Sequence, residues 1–192
     1  EDESMRVWTR QDRNVMEEIE QKGYYICKEE YINKKMENFS DYYKKLYKWY
    51  TDRAEKIVPK PCESIKYPVW VSIDEEMMLR PVEGTVILEL EVDEDKIVIT
   101  DMEKWGYVVN FFYLPEDRED LAKHDEELKK YGIGDESALI MGNKGNFYPL
   151  MKQKIEKSWE RLFEPYLLSE VRQGTLWKIR KEDIKSVYYG DE

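Results

Sequence analysis

The sequence predicts an α+β domain: a mixed or antiparallel sheet of about five to seven strands, packed by about three to five helices. Three observations within residues 66–110 carry that expectation. Val86-Ile87-Leu88-Glu89-Leu90-Glu91-Val92 begins as an apolar run and then alternates apolar with acidic, the pattern of a half-buried strand. A polar turn at 93–96 separates it from a second apolar run, Ile97-Val98-Ile99. Thr100 and Glu103 then have capping-box spacing, and Trp105, Val108, Val109 and Phe112 fall on one helical face that would close over the sheet.

The other elements follow in chain order. Residues 5–9 are short and partly apolar, and predict a strand. Thr9 and Asp12 frame a helix start, Val15, Met16 and Ile19 supply its buried face, and Gly23 is a left-handed stop. Residues 24–27 are aromatic and apolar, a short strand. A long helix is predicted over 38–57, with Phe39, Tyr42, Tyr43, Leu46, Trp49, Tyr50, Arg53 and Ile57 on one broad stripe and Pro59 and Pro61 ending it. Pro68 argues for an edge or a strand start in 64–73, and residues 74–79 predict a loop or an irregular crossing. An acidic helix runs from Pro115 to about Tyr131, closed by Gly132. Residues 132–149, with four glycines, read as a mobile loop or hairpin insert. Pro149 opens a helix with Ile155, Trp159, Leu162 and Phe163 on one face, and Pro165 ends it. Residues 171–180 predict a strand, 182–184 a turn, and 187–189 a last extended piece. Residues 5–190 read as one domain, with 1–4 left over from expression and Met5 the natural start.

Composition bounds the function. Hydrophobic residues are 41% and aromatic residues 14%, enough for a packed core despite 38% charged residues. The net charge of -11 makes the chain a poor general binder of nucleic-acid backbone, although a local basic groove is compatible with it. Cys27 and Cys62 are far apart in the sequence and have no histidine close by, which predicts two reduced thiols in a cytoplasmic protein. No apolar stretch approaches the roughly 20 residues of a membrane span, and no secretory leader is expected.

Classical chemistry finds few residues here. His124 is the sole histidine, and its neighbours Lys123, Asp125, Glu126 and Glu127 predict a solvated helix surface. That removes most histidine-dependent nucleophilic catalysis and, with two separated cysteines, a zinc site. No metal is expected. With 42 acidic residues, chance carboxylate pairs are guaranteed, and Glu75-Glu76, Glu91-Asp93 and Glu126-Glu127 read as solvated faces. More informative are polar residues beside tryptophans at strand ends: Trp8-Thr9 with Gln11, Tyr67 with Trp70 and Ser72, then Arg80, then Glu170 with Gln173. Each is also what plain structure produces, a core tryptophan with capping neighbours. If they converge, they supply aromatic walls and a few donors and acceptors that would orient a flat ring.

The pattern R-V-W-T-x-Q, K-Y-P-V-W, R-P, V-I-L-E-L-E-V-D-E-D, S-W-E-R-L-F at 158–163 and V-R-Q-G-T-L-W-K-I at 171–179 resembles a bacterial family known as Domain of Unknown Function 3841, over nearly the whole chain from Met5. That name implies no activity. In the order of its parts the chain is also distantly similar to compact ADP-ribosyltransferase-like domains. The similarity implies such a fold, NAD as cofactor, and transfer of ADP-ribose to a protein or nucleic-acid target. It matches Arg6 or Thr9 to the first motif, Tyr67, Trp70 and Ser72 to the middle one, and Gln173 or Glu170 to the last. Glu170 and Gln173 are thus the catalytic candidates. Arg6, Trp8, Thr9, Gln11, Tyr67, Trp70, Ser72 and Arg80 are the NAD-binding candidates. Cleavage of the nicotinamide–ribose bond builds positive charge on the sugar, which a carboxylate stabilises and a neutral amide does not. Gln173 at that place implies weakened turnover or binding alone. The alternative is a non-catalytic acidic domain that binds a basic protein partner, with the tyrosine-rich helix over 38–57 as its exposed contact surface.

Overall fold

A computed structural model describes residues 3–30 and 40–190. Asn38 and Phe39, at the predicted start of the long helix, and residues 1 and 2 of the stretch read as left over from expression lie outside them. The chain forms two compact units, 1–99 with 172–192, and 100–171.

The first unit is built on strands. In order come β1 (Ser4–Asp12), α1 (Asn14–Lys22), β2 (Tyr24–Tyr25), α2 (Ser40–Ile57), β3 (Val69–Ser72), β4 (Thr85–Asp93), β5 (Val98–Asp101, which runs into the second unit), β6 (Arg172–Leu176), β7 (Ile179–Arg180) and β8 (Ile184–Tyr189). Six strands form an antiparallel sheet in the order β5-β6-β3-β1-β4-β8, and β2 pairs with β7 separately. The α+β expectation and its antiparallel sheet therefore hold.

Alternation decides which face is the core. Val7, Val69, Val71, Ile73, Val86, Leu88, Leu90, Val92 and Leu176 gather with Val15 and Ile19 of α1 and with Tyr25 and Ile179. Gly23 takes φ +82°, and its amide closes α1 on the Ile19 carbonyl at 2.7 Å, the predicted stop. α2 buries Leu46, Tyr50 and Ala54, while Tyr42 and Ile57 of the predicted stripe are exposed. The strand predicted over 171–180 is broken. Trp177 bends out of it to donate its indole N–H to the Val58 carbonyl at 2.6 Å, so β6 and β7 are separate elements.

The second unit holds α3 (Met102–Val109), α4 (Arg118–Lys130), α5 (Ser137–Ile140), α6 (Pro149–Ser158) and a 3-10 turn at Trp159–Phe163. Asp101, not Thr100, caps α3: its carboxylate accepts from the Glu103 and Lys104 amides. The buried stripe is correspondingly shifted, with Lys104, Val108 and Phe111 inside and Phe112 exposed. α4 starts three residues after Pro115 because Asp117 is its cap, accepting from the Asp120 amide at 2.8 Å. Gly132, with φ +69°, closes it as predicted. Residues 132–149 are not a hairpin. They contain α5 and a 3-10 turn, Lys144–Asn146, in which Gly145 lies so close to the Leu139 carbonyl that a Cβ would stand 2.2 Å away. No helix among the described residues is long and apolar enough to cross a membrane.

Candidate functional site

Three of the strands that carry the predicted residues are neighbours in the sheet: β6, β3 and β1. Their registers align. Gln173 pairs with Ser72, Ser72 with Trp8, and Trp8 with Glu89 of β4, which in turn pairs with Ser186 of β8. Residues directly opposite on antiparallel strands share a face, so Gln173, Ser72, Trp8 and Glu89 form one transverse row on the face opposite the aliphatic core. Trp70 and Thr175 make the next cross-strand pair on that face.

Each member has a distinct setting. The Trp8 ring is buried, at 8% exposure. Ser72 is half-buried, and its hydroxyl donates to the Met77 carbonyl at a long 3.3 Å. Gln173 Nε2 is buried and has no hydrogen-bond partner among the described residues. Glu89 accepts from Arg6 Nη1 at 2.8 Å, and that bond holds its carboxyl below the ordinary range. Trp70 is walled by Tyr50, with ring centres 4.9 Å apart, and by Tyr47 edge-on at 6.3 Å. Tyr50 itself bonds Thr175 Oγ1 at 2.7 Å. The row thus offers one aromatic wall, one weakly held hydroxyl and one unsatisfied amide donor. Its carboxylate is already engaged.

The remaining predicted residues do not join the row. Thr9 is buried in the alternate phase of β1; it donates to the Trp70 carbonyl at 2.8 Å and accepts from Gln11 Nε2 at 2.8 Å, so both are occupied in bracing β1 against β3. Arg6 is half-exposed and holds Glu89. Tyr67 is buried outside β3, in an isolated bridge with Cys27. Arg80 is exposed in the loop ahead of β4, and its carbonyl accepts from Arg10 at 3.2 Å. Glu170 is exposed, precedes β6, and belongs to the unit 100–171. Glu89 is the member that the sequence reading missed. Its signal was the alternation of β4, which puts Glu89 in phase with Trp8 once the β1–β4 register is known.

The expectation for His124 is overturned. Its ring is 1% exposed, bonded through Nε2 to Glu136 at 2.5 Å and through Nδ1 to Lys154 Nζ at 3.1 Å, and stacked on Tyr113 at 4.1 Å. The Tyr113 hydroxyl bonds Asp120, and Arg161 bonds both. Burial acts to raise the Asp120 carboxyl, but the Glu116 amide, the Tyr113 hydroxyl and Arg161 outweigh it and hold the group low. Lys104 is also buried, and burial lowers its ammonium. That group donates to the Arg161 and Glu164 carbonyls at 2.9 Å and lies 3.6 Å from the centre of the Tyr166 ring. Every one of these groups is spoken for, the condition of a structural network. Neither Cys27 nor Cys62 is in a disulfide among the described residues. Among the described residues no group of three or more His, Cys, Asp or Glu side chains could hold a metal ion.

A family model matches residues 6–185. The chain belongs to the family described as Domain of unknown function (DUF3841). The match spans the row from Trp8 to Gln173, so these positions of the DUF3841 domain lie inside the family's own boundaries. No curated protein and no solved structure matches the chain significantly.

Proposed function

We propose that this DUF3841 chain is an ADP-ribosyltransferase-like domain that binds NAD along the Gln173–Ser72–Trp8 row and acts on a protein or nucleic-acid target. The single observation that carries the reading is the register. Three motifs, 64 and 101 residues apart in sequence (8 to 72, 72 to 173), fall side by side on adjacent strands. Trp8 supplies an aromatic wall, and Ser72 a hydroxyl. The buried, unpartnered Gln173 amide is a donor that a ribose hydroxyl would satisfy.

Gln173 also limits the chemistry. An amide orients a sugar but does not offset the positive charge that develops as nicotinamide leaves. The nearest carboxylate in the row, Glu89, is two strands from Ser72 and is paired with Arg6. The reading is therefore of tight orientation with slow transfer. Calorimetry with NAD tests binding: heat is expected for the native chain, with a loss of about tenfold in affinity for Trp8→Ala and Gln173→Ala, a fair share for one aromatic or one buried polar anchor. Gln173→Glu is expected to raise the rate of nicotinamide release. The absence of heat and of any thermal shift at millimolar NAD would retire the proposal. The competing reading, an acidic binder of a basic protein, rests on the net charge of -11. The helix proposed as its contact surface buries Leu46, Tyr50 and Ala54 in its own unit.

A further inference from the structure

The unit 100–171 carries a surface unlike the rest of this acidic protein. Residues 137–155 contain Lys144, Lys152 and Lys154 and no aspartate or glutamate, within a chain of net charge -11. Lys152 lies 4.0 Å from Glu156 and Lys154 pairs with Glu127 at 2.8 Å, so Lys144 is the ammonium that the surface offers most openly. Beside them Phe147 is 79% exposed, Leu150 78% and Tyr131 48%. Tyr131 and Tyr148 are in contact. Tyr148 lies with its ring centre 6.2 Å from that of Tyr131, and its hydroxyl reaches the Tyr131 carbonyl at 3.4 Å. The backbone amides of Phe147 and Lys152 donate to the Lys144 and Tyr148 carbonyls at 3.1 and 3.0 Å, which sets these residues on consecutive turns. Lys144 is exposed and makes no ion pair with any described residue. In the turn before Phe147, Gly145 is packed between the Leu139 carbonyl and the Lys152 side chain, with no room for a Cβ.

Phe147, Leu150 and Tyr131 together expose apolar surface of the kind that marks an interaction site, where a single exposed ring would not. The chemistry around it selects the partner. Lysines favour an anion. Three rings against one aliphatic side chain favour flat, stackable groups over the aliphatic knobs of a peptide helix. A base has a π-face whatever its identity, and a phosphate follows each base, so aromatic and ammonium groups side by side match single-stranded nucleic acid. We infer that Tyr131, Phe147 and Tyr148, with Lys144 and Lys152, form a binding surface for single-stranded DNA or RNA. The overall acidity makes this local binding, without the duplex affinity of a basic protein.

The test is fluorescence anisotropy of the full chain with labelled oligo-dT and oligo-U at about 50 mM and about 200 mM salt. Binding is expected at the lower salt, weakening as salt rises, to one or both strands and more tightly than to a duplex of equal length. Phe147→Ala and Lys144→Glu are each expected to weaken it about tenfold. Only Lys144→Glu should flatten the salt dependence. Both side chains are exposed, so both variants should melt at the temperature of the native chain. The inference is overturned by no anisotropy change at low salt, by variants that bind like the native chain, or by poly-glutamate competing as well as the oligonucleotides, which would assign the patch to an acidic protein. Neither substitution touches the row, so NAD calorimetry on the same variants reports on the other proposal separately.

Discussion

Asp101 shows how much one side chain can hold. Its Oδ1 accepts from the Glu103 and Lys104 amides at 2.8 and 3.2 Å, and its Oδ2 from the Leu168 and Ser169 amides at 2.6 and 2.8 Å. It is 3% exposed, so the carboxylate relies on these four donors and not on water. Asp101→Ala is expected to cost about 3 kcal/mol in urea denaturation, the loss of charged hydrogen bonds plus stranded amides. Asp101→Asn should recover little of it, because the new NH₂ would face two N–H donors. A loss below about 0.5 kcal/mol, the size of an ordinary surface substitution, would refute this account. The sequence reading had the helix start correct to one residue and chose the wrong cap. Thr100 and Asp101 are both good caps, and only the tertiary position of 168–169 favours the carboxylate. His124 failed for a similar reason. Its sequence neighbours are charged and exposed, but its partners, Glu136, Lys154 and Tyr113, come from other elements.

At the scale of elements, β6 is the strand on which the candidate site depends. Gly174, next to Gln173, is there because of its neighbours: a Cβ would meet Ile97 Cγ2 at 2.7 Å, Ile73 Cδ1 at 2.9 Å and Val71 Cγ2 at 3.2 Å. Its φ is ordinary, so the restriction is space and not backbone freedom. Gly174→Val is expected to destabilise by about 1–3 kcal/mol through overpacking. It should also shift Gln173 out of register with Ser72, so weaker NAD binding should accompany the fall in melting temperature. A variant that melts lower yet binds NAD as before would separate the strand's stability from the site. Strand alternation in β4 was legible in the sequence because one face of it is aliphatic. The order of the strands was not, since a period of two states which face a residue takes but not which strand lies beside it. The row from Gln173 to Glu89 is a property of that order. Likewise α3 ends with Phe111 at φ +61°, where glycine would be expected. Its amide and that of Phe112 close the helix on the Val108 and Tyr107 carbonyls, and burial of the ring offsets the strain. No local pattern announces such a stop.

For the whole molecule, the aromatic load that marked the chain as foldable also sets its behaviour in alkali. Burial raises the hydroxyls of Tyr47, Tyr50 and Tyr67 in one unit and of Tyr107 and Tyr166 in the other, Tyr166 up to about 12 and Tyr50 further still. For Tyr50, burial outweighs the bond with Thr175, which acts the other way. In the unfolded chain these groups ionise near 10.0, the value each departs from. Between that pH and the folded value the native state binds more protons than the unfolded one, so stability falls as pH rises. The contribution is whole below pH 10 and is lost progressively toward about pH 12. Lys104 acts in the opposite sense. Burial lowers its ammonium from 10.5, so the native state binds fewer protons there and stability gains as pH climbs toward that value. One lysine stands against five tyrosines, and the net expectation is a urea midpoint that is steady near neutrality and drops steeply above about pH 10. The share of the phenolate absorbance that belongs to these five hydroxyls, out of 15 tyrosines, should appear with unfolding and not before it. Tyr50→Phe should flatten the drop because it removes the most strongly shifted hydroxyl, at the expense of its bond to Thr175. A midpoint unchanged from pH 9 to about 11, or a phenolate signal from all the tyrosines that is complete while the fold persists, would mean that these five hydroxyls are open to solvent and that Tyr50 and Tyr166 are not buried.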